Sequence, residues 1–331
     1  GWLSIKIQAP QSIRDCYCSR SHFSSKISHG CGQQSLAYLQ QDTMLRLLSL
    51  LHATAVAFPM LGAEIPLGER TKMSWDAPQN GDDGVDHFQL FLPRHWSKAQ
   101  SWPMLIFLHG AGDGVWDVMN SQSLPRLLSR DQSTAFDPRK SWEFDFDGRH
   151  YVNASFADDL GFVVVMPQGW DATMRPGWSR PRLERVRALA TRVASAYAVD
   201  PERISLAGQS AGGVGAWRFA LEYPEFLSAV VPVCGALPGD SARAAQRLKD
   251  LSIWVFHAAD DSAMPVELGD GAVAAMNRAG RREPARYTRY RRAPPPPDPQ
   301  YNDMVGHASY DLAFRDASLY AWLANQRRGA S

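Results

Sequence analysis

The chain has 331 residues, 45% of them hydrophobic and 21% charged, ordinary values for a globular protein that buries a sizeable core. Its 35 Lys+Arg nearly balance 34 Asp+Glu, leaving a formal charge of +1. No basic stripe favours nucleic acid, no Lys/Arg cluster flanks an amphipathic run, and no stretch of about 18 apolar residues is free of polar interruption.

Residues 1–43 are rich in Ser and Gln with little periodicity, and are expected to be an unstructured leader or upstream extension. Residues 44–63 then have the layout of a secretory signal peptide. Met44 and Arg46 form a short basic start, Leu47 to Leu61 a mostly apolar run, and Ala55-Val56-Ala57 or Gly62-Ala63 a small-residue exit. If translation starts at Met44, the protein is expected to be secreted or periplasmic, with no integral membrane segment in the mature form. Otherwise the stretch is a helix of the domain and the protein is cytoplasmic. Cys16, Cys18 and Cys31 lie in this leader near His22 and His29, but no C-x-x-C pair occurs, so no metal is expected. Cys234 stands alone at the end of an apolar run and reads as a buried structural thiol.

From about residue 70 the pattern alternates between strand and helix. Strands are expected at 88–92, 104–108, 162–166, 204–208, 229–233, 253–257 and 286–290, several of them unbroken apolar runs. Helical spacing occupies 123–130, 182–197, 211–222, 241–249, 266–279 and 310–325. This alternation predicts a mostly parallel sheet with helices on both faces. Two stretches break the rhythm: a long polar and aromatic insertion at 131–158 and a proline-stiffened loop at 291–303.

The segment "ISLAGQSAGGVGAWRF" places Gly208-Gln209-Ser210-Ala211-Gly212, a G-x-S-x-G, between a strand and a helix. The chain must turn sharply there, and side chains two before and two after the serine would collide. Glycines at 208 and 212 remove them, so Ser210 can lift its hydroxyl above the sheet. The helix that follows aims its first amides, including that of Ala211, at charge forming beside the serine. Gly213 lets the helix approach the sheet. The plainer alternative is a tight turn whose serine only caps the helix.

A serine hydroxyl needs a base, and the base needs an orienting acid. Only His257 and His307 follow Ser210. His257 ends a strand and is expected to be packed at its tip, whereas His307 sits in the glycine-preceded loop "DMVGHASY" and is the candidate base. Asp260 and Asp261, just past the same strand, are both candidate acids, and spacing favours Asp261. Oxyanion donors are expected from the backbone of Ala111, or next Gly112, in "FLHGAGDG", together with Ala211. His109 reads as a support for that loop. Trp170 and Trp178 flank a Gly/Pro-rich loop at a strand's carboxyl end and are either walls of a substrate pocket or core packing. Gln209 is a further candidate substrate contact.

These residues resemble the α/β-hydrolase superfamily, and more narrowly the carboxylesterase group that includes feruloyl and acetylxylan esterases, polyhydroxybutyrate-depolymerase-like esterases and "predicted peptidases". The matching pieces include "WPMLIFLHGAGDG", "VDPERISLAGQSAGGVGAWRFALEYPE", "IWVFHAADDSAMPV" and "VGHASYD". The resemblance implies an α/β-hydrolase catalytic domain at 70–328, with Ser210, Asp261 and His307 as a triad and His257 in an H-x-x-x-D spacing. Ala258, where such enzymes often carry glycine, and Gln209 depart from the pattern. It implies hydrolysis of a small-molecule or polymer-linked ester through an acyl-enzyme, without metal or organic cofactor. A peptidase or thioesterase with the same triad is the nearest rival, and a hydrolase-fold ligand-binding protein that turns nothing over is the other.

Overall fold

The computed structural model describes residues 59–76, 85–111, 123–128, 144–146, 148–151, 160–169, 177–296 and 301–329. The leader at 1–43 and all but the end of the 44–63 segment lie outside the described residues, as do Gly112, Trp170 and most of the 131–158 insertion.

Eight strands form one sheet: β1 (Arg70–Ser74), β2 (His87–Phe91), β3 (Trp102–Leu108), β6 (Val163–Pro167), β7 (Val199–Gln209), β8 (Ala229–Val233), β9 (Ser252–Ala258) and β10 (Arg286–Tyr290). Between β3 and β6, β4 (Phe144–Phe146) and β5 (Arg149–Tyr151) make a separate antiparallel hairpin. The order in the large sheet is β1-β2-β6-β3-β7-β8-β9-β10. β2 is antiparallel to both of its neighbours and every other pairing is parallel. The helices are α1 (Ser123–Leu127), α2 (Arg180–Ala196), α3 (Ala211–Glu222), α4 (Ser241–Arg247), α5 (Glu267–Arg278), α6 (Ser309–Ala313) and α7 (Ala317–Ala324).

Side chains alternate across a strand, so the continuous apolar runs supply two cores at once. On β3, Met104, Ile106 and Leu108 join β7 Ile204 and Leu206 under α2, α3, α4 and α5. Leu105 and Phe107 of the same strand face the other way, with β8 Val231, β9 Phe256 and residues of α1, α6 and α7. The expected mostly parallel sheet, covered on both faces, is the observed one. Because β3, β6, β7, β8, β9 and β10 pair in parallel, their carboxyl ends lie along one edge of the sheet, where Ser210 and Asp261 follow β7 and β9.

Three elements depart from the sequence expectation. β1, "RTKMS", has only Met73 fully buried and pairs antiparallel with β2 at the end of the sheet, so it carries no apolar run to announce it. The β4–β5 hairpin turns at Gly148, φ 75°, in an Asp-Gly step that favours tight hairpins. The helix expected at 310–325 is two helices. Asp316 takes an extended conformation, φ −80° and ψ 106°, and its carboxylate accepts from the Ser318 amide at 2.9 Å. That cap starts α7 afresh and ends the continuity with α6.

The start of α3 lies almost backbone to backbone against the end of β8. A Cβ on Gly213 would sit 2.5 Å from the Val233 carbonyl oxygen, and one on Gly235 would sit 2.4 Å from the Gly213 carbonyl carbon. Gly213→Ala is expected to lower stability by about 3 kcal/mol, because the obstructing atoms are main chain and cannot rotate away. Urea unfolding of the variant beside wild type measures it.

Candidate active site

Ser210 joins β7 to α3 with φ 53° and ψ −118°, a conformation that costs an L-residue about 1–3 kcal/mol. Its amide donates to Val233 O at 2.9 Å and its carbonyl accepts from the Val214 amide at 3.0 Å, so the turn is tied to both the sheet and the helix. The flanking glycines are required for different contacts. A Cβ on Gly208 would lie 2.1 Å from the Gly212 carbonyl oxygen, across the turn itself. One on Gly212 would lie 2.0 Å from the Leu108 carbonyl oxygen at the end of β3. The elbow is therefore a place where β3, β7 and α3 approach closer than any side chain allows.

His307 arrives from a loop nearly a hundred residues further on. Its Nε2 lies 2.9 Å from Ser210 Oγ, and its Nδ1 lies 3.0 Å from each carboxylate oxygen of Asp261. Asp261 Oδ1 also accepts from the amides of Ala263 at 3.0 Å and Met264 at 2.9 Å. Burial acts to raise the Asp261 pKa, but hydrogen bonds from His257 and His307, the charge of His307 and the Met264 amide outweigh it. They hold the carboxyl well below the usual carboxylate range.

Asp260 faces elsewhere. Its Oδ1 accepts from the Ala293 amide at 3.0 Å, and Gly306, φ 73°, packs onto it where a Cβ would lie 2.4 Å from Oδ1. Neighbouring aspartates thus divide the work: Asp261 meets the imidazole, and Asp260 pins the loop that carries it. His257 is fully buried, as expected for a strand tip, but it is more than packing. Its Nε2 lies 2.8 Å from Met264 O and 3.3 Å from Asp261 Oδ2, a contact that sequence spacing alone did not reveal.

Cys234 directly follows β8 as a buried thiol whose sulfur, with one atom each from Asp261 and His307, falls in a group within 4.8 Å. Burial, and then the Asp261 charge, push its pKa far up, so it stays a neutral thiol and suits a cation poorly.

His109 supports the β3 loop. Its Nδ1–H donates to Gly110 O at 2.7 Å and its Nε2 accepts from the Gly169 amide at 3.0 Å, a tautomer assigned from these partners. Ala111 is exposed beside Ser210, and the Ala211 amide opens α3 directly after it. Trp178 is not a substrate wall. It is 2% exposed, its indole N–H donates to His109 O at 3.1 Å, and its ring fills the space left by Gly169 and Gly215. Trp178 is therefore core packing beneath the loops, the second of the two roles open to it from sequence.

A cavity of about 190 Å³ opens above Ser210 and His307. Gln209 lines its floor, and Met264, Pro296, Tyr301, Met304 and Tyr310 form its walls. No Asp, Glu, Lys or Arg lines it among the described residues.

A mostly parallel sheet sandwiched by helices, with a serine on a strand-to-helix elbow facing a histidine and a buried aspartate, is the architecture of the α/β-hydrolase fold. The chain belongs to the esterase family described as "Putative esterase", whose model matches residues 86–263. That match runs from β2 through the Asp261 turn. Over 87 residues the chain is 32% identical to "Putative esterase NocK" of Nocardia uniformis subsp. tsuyamanensis, covering 25% of each protein. Among solved structures it is similar to a thermostable esterase, with TM-score 0.53 and 22% identity over 77% of this chain and 65% of that one. A ferulic acid esterase aligns with TM-score 0.48 and 15% identity over 77% of this chain and 98% of that one. The chain thus spans a quarter of the curated relative it matches and about two thirds of the thermostable esterase.

Burial lowers the His109 pKa to about 4 from an ordinary 6.5, overcoming the Gly110 hydrogen bond that raises it. The unfolded chain therefore takes up a proton between these values that the folded protein refuses. This group's stabilisation is complete above pH 6.5 and is lost as pH falls toward 4, by up to about 3 kcal/mol. His109→Asn is expected to flatten that part of the stability curve, measured by urea midpoints at pH 7, 5.5 and 4.5.

Proposed function

We propose that the protein is a serine carboxylesterase working through an acyl-enzyme on Ser210. The observation that carries this reading is the continuous chain of contacts Ser210 Oγ to His307 Nε2 at 2.9 Å and His307 Nδ1 to Asp261 at 3.0 Å, opening directly onto the cavity.

His307 Nε2 takes the Ser210 proton as Oγ attacks the ester carbonyl. The tetrahedral oxyanion lies against the Ala211 amide at the head of α3 and the backbone of Ala111, donors already in place before charge develops. Asp261, kept ionised by its hydrogen bonds, stabilises the imidazolium and holds its tautomer. The imidazolium protonates the leaving alcohol, the acyl group stays on Oγ, and a water activated by the same nitrogen releases the acid. Gly112 and Trp170 remain candidates for the oxyanion loop and the substrate cleft, and Gln209 for a floor contact. The lining residues described, none of them charged, favour a neutral acyl group over a charged one. Export directed by residues 44–63 is part of the same reading, and mass spectrometry of the mature N-terminus tests it.

A peptidase or thioesterase would use the same groups and differ in the leaving group, so substrate comparison separates them. The protein is expected to hydrolyse p-nitrophenyl acetate or a feruloyl ester in preference to a peptide amide, and a fluorophosphonate probe is expected to label Ser210. Ser210→Ala abolishes labelling and lowers turnover by at least about 1000-fold. A wild-type protein that resists the probe and cleaves no short-chain ester is a ligand-binding protein, not an esterase.

A further inference from the structure

We propose that His257 is a positioning residue for the acid of this site, acting on Asp261 and through it on His307. The inference rests on the triad described above.

The two oxygens of Asp261 are held very differently. Oδ1 accepts from two backbone amides, Ala263 and Met264, and from His307. Among the described residues Oδ2 meets two imidazoles and no amide: His307 Nδ1 at 3.0 Å and His257 Nε2 at 3.3 Å. Neither the Asp261 nor the His257 side chain has any solvent exposure, so no bulk water replaces a lost donor. Without His257, one edge of a buried carboxylate is left to the group it is meant to orient.

The protons on His257 follow from its surroundings. The Met264 carbonyl, 2.8 Å from Nε2, can only accept, so Nε2 carries hydrogen and presents it between that carbonyl and Asp261 Oδ2. Nδ1 makes no hydrogen bond among the described residues and faces α5, where a Cβ on Gly269 would lie 2.7 Å from it. A glycine there leaves room for the ring to sit flat against the helix with its one N–H aimed at the acid turn. Because Met264 also lines the cavity, the same N–H ties the acid to one wall of the substrate pocket.

Glutamine can place an amide N–H near the imidazole Nε2 position, whereas the shorter asparagine cannot reach it. His257→Asn is expected to lower kcat on p-nitrophenyl acetate by roughly 10- to 100-fold with KM within about twofold of wild type. His257→Gln is expected to restore kcat to within about threefold. A readout that needs no turnover is the low-field proton resonance of His307 Nδ1–H. It should be present in wild type and in His257→Gln, absent in Asp261→Asn, and shifted or broadened in His257→Asn. The proposal is overturned if His257→Asn keeps wild-type kcat and resonance, or if the glutamine variant falls as far as the asparagine one. A wild-type protein that neither labels at Ser210 nor cleaves esters overturns the proposed function instead, and the proton resonances of the variants still decide the role of His257.

Discussion

The structure depends on how closely four pieces of backbone approach around Ser210. The ends of β3, β7 and β8 and the first turn of α3 converge there, at separations that exclude a Cβ on Gly208, Gly212, Gly213 and Gly235. Main-chain contacts of this kind cannot be relaxed by rotating a side chain, so the positive φ of Ser210 has no low-cost escape. The strain is small beside the burial of two apolar layers, one on each side of the sheet, which hold the strands in register. Folding therefore over-determines the elbow, and the hydroxyl is in place before any ligand arrives.

A second constraint concerns charge. Asp261 must stay ionised inside the protein, where desolvation alone would neutralise it. The turn after β9 answers with two amides, and two histidines complete the shell. His109 shows the opposite solution in the same neighbourhood: it is buried as a neutral ring, with one nitrogen donating and the other accepting. Both groups are satisfied locally, and each fixes a loop at the carboxyl ends of the strands. Electrostatic accommodation and loop geometry are thus the same set of hydrogen bonds.

How much of this was legible in the sequence depends on the range of the interaction. The central strands were visible because burial on both faces makes them continuous apolar runs, and Gly208-x-Ser210-x-Gly212 because sterics within five residues demand those glycines. β1 left no such trace, since an edge strand half open to solvent tolerates polar residues. The break between α6 and α7 was encoded locally, in Asp316 and Ser318, but hydrophobic periodicity across it masked the cap. The choice between Asp260 and Asp261 and the two roles open to Trp178 turn on which way a side chain faces after the chain has folded. Spacing could rank the aspartates but not reveal that Asp260 binds the 293 amide. For the tryptophan, the deciding contacts are Gly169 and Gly215, which frame a slot only once β6 and α3 are brought together.

The same separation of ranges assigns different physical jobs to different parts of the site. The serine and its helix-borne amide belong to the rigid centre, whose geometry the two cores enforce. Asp261 and His307 belong to turns, and they are held by side-chain and main-chain hydrogen bonds linking 260–264, 293–294 and 304–308. Cavity walls come from these turns and the chain beside them, through Met264, Pro296, Tyr301 and Met304. Those four side chains are uncharged, and two of them are flexible thioethers that adapt their shape easily. None of them belongs to the elbow, but the main chain of Met264 also anchors Asp261 and His257. At that residue the cavity wall and the hydrogen bonds that hold the Asp261 carboxylate share one stretch of backbone.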